Sequence, residues 1–404
     1  MSQNHEHEHP LGGKIFTPAF FLLLAIIAAG GVVILIRLFF GLGSVSEMSD
    51  AYPWGIWKPL NVVTFTGIAA GAYSVGWLTY IFNRGEYHPL VRSAVMAGTM
   101  GYTLAGTSVL IDLGRWWNLW VTFWPPVYNL NSVLLEVAIC VMAYTGVLWV
   151  EITPAVLERL RKDGPGPLKE LAIKFLPLMN KAMPFIVSIA ILLPTMHQSS
   201  LGGLYMVTET KLHPLWHTSW ISGLFLLSCL SMGFGAVIVL ENITNLVYGR
   251  RMDLRLLSRL APVGAGVVAA YLVLRLVDLA MRGRLGLIFT FDFYSLFFLL
   301  EMAIFAGGMV LLFLRRTRTN RGWMFLGAFL LLLSGALYRF DTYLIAYLPL
   351  EDASYFPSIG EMLMSACLAA IGILVYIVMA KMFPILSGVA EGRRGSIDRS
   401  AQIL

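Results

Sequence analysis

Ten apolar runs, each long enough to cross a lipid bilayer as a helix, constrain this chain more than any other feature of it. They lie at 16 to 40, 57 to 82, 92 to 112, 131 to 152, 181 to 199, 217 to 241, 258 to 281, 292 to 314, 323 to 345 and 362 to 383. About 20 apolar residues span the hydrocarbon core as a helix, and lipid tolerates only backbones whose hydrogen bonds close internally. The expected fold class is all-α, a polytopic membrane protein of about ten transmembrane helices arranged as helical bundles. Only 13% of the 404 residues are charged and the mean hydropathy is +0.74, values foreign to a soluble core. The first run is too long for a signal-peptide core and no small-residue cleavage site follows it, so it is expected to remain as a span.

Ten spans put both termini on one side. With that side cytoplasmic (N-in/C-in), 21 of the 29 lysines and arginines fall inside, in clusters such as Arg159-Leu160-Arg161-Lys162, Arg250-Arg251 and Arg315-Arg316, as the positive-inside rule requires. That distribution explains the net charge of +6 and removes nucleic acid as a partner. The organisation expected is a cytoplasmic tail at 1–15, one transmembrane domain at 16–383 and a second cytoplasmic tail at 384–404. The alternating His5, His7 and His9 resemble a chelator, but a free tail is ordinarily disordered. The stretch 164 to 180 carries Lys169, Glu170 and Lys174 and is expected to lie along the inner membrane surface. The outer loops, rich in Gly, Trp, Tyr and Pro, suit either an external protein partner or the ordinary interfacial aromatic belt. Cys140, Cys229 and Cys367 sit inside apolar runs without CxxC spacing and are read as packing residues.

Charges inside spans need a partner, a proton or water. Asp112 closes the third run, Arg115 follows three residues later, and Glu136 is expected to be buried in the fourth run. The set is echoed by Asp278, Arg282 and Glu301 in spans seven and eight, and loosely by Arg339, Asp341 and Glu361 in spans nine and ten. The echo is read as repeated helix-pair units at 92–152, 258–314 and 323–383, with chance similarity as the alternative. Asp278 and Arg282, four apart on one helix face, can simply satisfy each other. Glu136, Glu241 and Glu301 have no obvious sequence-local cation within the membrane and are candidates for proton transfer. At the outer end of span five, His197 and Gln198 have the chemistry to donate to or accept from a carbonyl, although an interfacial histidine is more often a solvated helix end. The histidines outside the tail are His88 in an inner loop and His197, His213 and His217 at the outer rim. A membrane haem b takes two axial histidines facing each other within the spans; no haem or metal is expected in this chain.

Several segments together carry a family resemblance: GLGSVSEMSDAYPWGIW (41 to 57), FNRGEYHPLVR (82 to 92), IDLGRWWN (111 to 118), NSVLLE (131 to 136), LPTMHQSSLG (193 to 202), HPLW (213 to 216) and DFYS (292 to 295). The chain resembles the HybB-type integral membrane subunit of respiratory nickel-iron hydrogenases, within the wider NrfD or polysulfide-reductase membrane-subunit family. The resemblance runs over nearly the whole length. It implies a quinone-reactive subunit without a redox centre of its own, in a bacterial inner membrane. The implied partners are a periplasmic iron-sulfur electron-transfer subunit and the hydrogenase large and small subunits. Older names call such subunits b-type cytochromes, which the missing histidine pair argues against taking literally. By the same resemblance Glu136 and Glu241 are candidates for proton transfer, and Asp112, Arg115 and the HQSS segment with His197 and Gln198 for the quinone pocket.

Quinone reduction needs electrons from outside the chain and protons delivered to two carbonyl oxygens in an apolar pocket. Trp54, Trp57, Trp116 and Trp117 are candidates to line it, with Arg115 holding a developing oxyanion, Asp112 fixing the arginine and Glu136 relaying protons. The substrate is menaquinone or ubiquinone. Two other classes stay open: a secondary transporter or proton channel, since intramembrane acids and repeats occur there too, and a purely structural anchor.

Overall fold

A computed structural model describes residues 10–129, 131–206, 211–250, 253–349 and 353–386. All ten spans form: α1 (Pro18–Phe40), α2 (Lys58–Ile81), α3 (Gly85–Asp112), α4 (Val133–Asp163), α5 (Gly166–Met206), α6 (Ile221–Tyr248), α7 (Leu254–Met281), α8 (Phe293–Phe313), α9 (Arg321–Ile345) and α10 (Ile359–Met382). Local chemistry marks where many of them start. Thr17, Ser132, Asp253, Asp292, Asn320 and Ser358 each turn a side-chain oxygen onto the first free amides of the helix that follows, and Pro18 occupies the first turn of α1, where no amide is needed. The tail histidines lie outside the described residues.

Helices α2 to α5 pack as one four-helix bundle and α6 to α9 as a second, while α1 and α10 pair and lean on α3. The bundles join through α2 on α6, α5 on α6 and α9 on α2, so α2 and α6 are the most enclosed spans. Glycine makes the closest joint. A Cβ on Gly233 of α6 would stand 2.6 Å from the Ala70 carbonyl of α2 and 2.2 Å from Ser74 Oγ, so only a bare backbone fits. In this arrangement Asp112 and Asp278 stand on the second helices of their respective bundles, and Glu136 and Glu301 on the third.

Three stretches of the described spans are wound as π-helix: the first turns of α2, Lys58–Thr64, its end, Trp77–Ile81, and the end of α9, Asp341–Ile345, a local widening that re-aims side chains and recurs at functional sites.

The stretch 164 to 180 does not lie flat on the membrane. It is the first part of the 41-residue α5, about 60 Å long at 1.5 Å per residue and twice the hydrocarbon thickness. Ala172 and Leu176 pack on Leu157 of α4, and this apolar seam raises the α4–α5 hairpin beyond the bilayer on the face that carries the termini. Leu11 on the chain entering α1 donates its amide to the Ala380 carbonyl of α10, which brings the first and last spans to that same face.

Candidate functional site

Polar residues gather at three connected levels, beginning at the face opposite the termini. At the mouth, Asp112 ends α3 and gathers partners from other helices. Trp57 Nε1 donates to its Oδ1 at 2.8 Å, Lys58 forms an ion pair with it, and the buried Arg37 of α1 interacts with it electrostatically while donating to the Leu113 carbonyl. Lys58 also lies 5.6 Å from the Trp54 ring centre, and Trp54 meets Tyr343 edge to face. Both Lys58 and Asp112 remain partly exposed. Beside them the buried Glu361 accepts the amides of Glu47 and Ile56 and the hydroxyl of Tyr355.

Arg115 is not part of this group. It sits exposed in the loop after α3, with Trp116 and Trp117 exposed beside it, so the expected Asp112–Arg115 pair is replaced by Asp112–Lys58. The reason is geometric: Asp112 is the last helical residue and Arg115 lies beyond the turn, whereas the first turn of α2 delivers Trp57 and Lys58 side by side. Glu136 also departs from expectation. It is exposed in the first turn of α4 rather than buried, and accepts Ser200 Oγ at 2.7 Å; a carboxylate there is favoured by the positive end of the helix dipole.

The second level lies where the bundles join. His197 and Gln198 are fully buried, not at a solvated rim, because α5 continues past them to Met206. Gln198 donates to Thr66 Oγ1 of α2 at 3.1 Å and accepts from Arg339 of α9 at 3.1 Å. Arg339 also bonds the Val63 carbonyl and Ser228 Oγ of α6, both at 3.0 Å. His197 Nδ1 lies 3.2 Å from the Tyr102 hydroxyl, and its Nε2 has no partner among the described residues. Three spans thus clamp one guanidinium carried by a fourth.

The third level belongs to the second bundle. Glu301 accepts Tyr271 Oη at 2.8 Å and Trp216 Nε1 at 3.0 Å. The fully buried Arg275 carries the opposite charge beside it, over the rings of Phe298 and Tyr338. Asp278 and Arg282 pair as expected, at 3.0 Å, and Thr218 also donates to Asp278. Glu241 stands apart, about 30 Å along α6 from its first residue at 1.5 Å per residue. It does have a cation: Arg250, nine residues on, is 3.2 Å away across the helix end, with Ser93 Oγ donating at 2.9 Å.

Of the sequence candidates, Trp54, Trp57 and Asp112 converge at the mouth, His197 and Gln198 at the junction, and Glu301 in the second bundle. Glu136, Glu241 and Arg115 lie elsewhere. Lys58 and Arg275 were missed, and Arg339, Asp341 and Glu361 were seen only as a loose echo, not as site residues. A basic residue inside an apolar run was the available signal for Arg275, and a Trp-Lys pair at a helix start for Lys58.

A family model, polysulphide reductase NrfD, matches residues 44–348. The chain belongs to the NrfD polysulphide reductase family. It is 39% identical over 380 residues, 93% of this chain and 94% of the relative, to the probable Ni/Fe-hydrogenase 2 b-type cytochrome subunit of Escherichia coli strain K12. It is 26% identical to the menaquinone reductase integral membrane subunit of Nitratidesulfovibrio vulgaris, over 59% of this chain and 56% of that one. The Hdr-like menaquinol oxidoreductase integral membrane subunit of Archaeoglobus fulgidus is 22% identical over 55% of this chain and 50% of its own.

One relative's name raises a b-type haem, which needs two facing axial histidines. The described histidines of this NrfD protein do not fit it. His197 turns to Tyr102 in the first bundle, His213 stacks on Tyr294 at 4.3 Å, and His217 precedes α6 in a loop whose carbonyls hold Arg282. His88 stands at the start of α3, on the face of the termini. No group of three or more His, Cys, Asp or Glu able to hold a metal occurs among the described residues, and Cys140, Cys229 and Cys367 are free and buried.

Proposed function

We propose that this protein is the quinone-reactive membrane subunit of a hydrogenase-linked respiratory complex of a bacterial inner membrane. It takes electrons from an iron-sulfur subunit docked, with a nickel-iron hydrogenase, on the face opposite the termini, and passes them to membrane quinone. That face is periplasmic in this reading, consistent with the bias of Lys and Arg toward the other side. The kinship with subunits named for hydrogenase and menaquinone reductase supports it.

The observation that carries the proposal is the convergence of Trp57 and Lys58 on Asp112 at a partly exposed aromatic mouth. A quinone ring is flat and apolar with two carbonyl oxygens, and Trp54 and Trp57 offer it aromatic walls. Lys58 is the donor toward a carbonyl oxygen that gains charge, and Asp112 holds the ammonium in place. Two electrons from the partner's clusters and two protons convert quinone to quinol, and the chain supplies no redox centre of its own. The exposed Glu136, with Ser200 donating to it, is a proton entry point, as is Glu241 at the opposite end of α6.

The test is hydrogen-to-quinone turnover of the assembled complex. Lys58→Met is expected to lower the rate about a hundredfold, the usual loss on removing a preorganised donor, and Asp112→Asn to lower it by releasing that donor, while hydrogen oxidation with a soluble dye is retained in both. Wild-type quinone rates in both assembled variants would place the pocket elsewhere.

A further inference from the structure

Glu301 and Asp341 meet inside the second bundle, with one arginine, Arg275, acting on both. Both oxygens of Glu301 receive a donor, from Tyr271 and Trp216, the pattern of an ionised carboxylate. Asp341, at the π-helical turn of α9 and 1% exposed, lies against Glu301. Neither of its oxygens has a donor among the described residues. Two ionised carboxylates are both acceptors and cannot bond; one proton turns that contact into a hydrogen bond.

The charges around the pair make the same demand. From α7 come Arg275, fully buried with no hydrogen bond from its three guanidinium nitrogens among the described residues, and Asp278, already neutralised by Arg282. Tyr271 donates its hydroxyl to Glu301, and Arg339, next but one to Asp341, keeps its charge but is turned to the neutral Gln198, Ser228 and Val63 carbonyl at the bundle junction. Arg275 is the cation that acts on both acids; it balances one carboxylate, and a second ionised acid in the same contact is left uncompensated.

We propose that Glu301 and Asp341 together bind a single exchangeable proton, carried on Asp341 and donated to Glu301, with Arg275 as the fixed counter-charge: a proton store in the second bundle. Release breaks the Asp341 O–H bond and forms one on the acceptor, with no electron transferred. The store exists whether or not quinone is bound, so its test does not depend on the quinone reading.

Infrared spectra of the purified complex near neutral pH, taken as wild type minus variant in H2O and in D2O, read the proton directly. A protonated-carboxyl C=O band that shifts in D2O is expected to disappear in Asp341→Asn and equally in Glu301→Gln, because each leaves one acid facing Arg275. Arg275→Gln is expected to add a second such band, since both acids then need a proton. Persistence of the wild-type band in either acid variant, or no gain on removing Arg275, overturns the proposal. The three variants are near in size to the native side chains and give opposite signs, so a general loss of structure cannot mimic the pattern.

Discussion

Asp292 caps α8 by accepting the Ser295 amide at 2.8 Å, and that bond holds its carboxyl below the ordinary carboxylate range. His213, stacked on Tyr294 of the same turn, has its imidazole pushed below its usual value of 6.5 by desolvation. Both groups bind protons more weakly folded than unfolded, so each contributes stability above its unfolded pKa and loses it as pH falls. Acid is therefore expected to open the first turn of α8 ahead of the bundle core, beginning below about pH 6.5 for the histidine and continuing into the carboxylate range. Hydrogen exchange at the Ser295 amide measures it, and Asp292→Ala should flatten the acid limb. The residue scale is also where sequence spacing misleads most. Asp278 and Arg282, one turn apart, were legible because a helix makes them neighbours. Asp112 and Lys58 were not, because a three-residue gap to Arg115 looked shorter than a path through another helix.

Helix contacts in lipid depend on how close two backbones come, since apolar side chains gain little by leaving lipid for one another. Gly233 and Gly31 look alike in sequence, each set in an apolar run. A Cβ at Gly233 meets Ser74 Oγ at 2.2 Å and the Ala70 carbonyl at 2.6 Å, and at Gly31 it meets nothing within 4 Å. Gly233→Ala should cost about 1 to 3 kcal/mol through overpacking of α2 against α6, and Gly31→Ala should be close to neutral. Thermal unfolding in detergent separates the two. The same scale explains the misplaced inner segment. Lys169, Glu170 and Lys174 make the start of α5 polar enough to read as interfacial. The seam of Ala172 and Leu176 on Leu157 holds that start against α4, and the helix runs on unbroken past Pro177 and Pro184.

At the scale of the whole molecule, two bundles joined through α2, α5, α6 and α9 bring the polar residues of four spans to one buried point while most of the surface stays apolar. The proposed orientation makes a direct prediction: Lys169→Cys, on the raised hairpin, should react with a membrane-impermeant thiol reagent only from the cytoplasmic side, and Asn118→Cys, in the loop after α3, only from the other. The reverse labelling would put the docking face of the proposed iron-sulfur partner in the cytoplasm. Number and order of spans followed from sequence because lipid leaves a backbone one economical choice, the helix, and twenty apolar residues mark it wherever they occur. Candidate acids were visible for a related reason, since any charge in such a run stands out. Which distant polar groups meet was decided only by tertiary structure: Arg339 reaches Gln198 across 141 positions and Trp216 reaches Glu301 across 85. Those pairs follow from how helices with similar apolar faces pack, and the short-range pattern of the chain does not encode it.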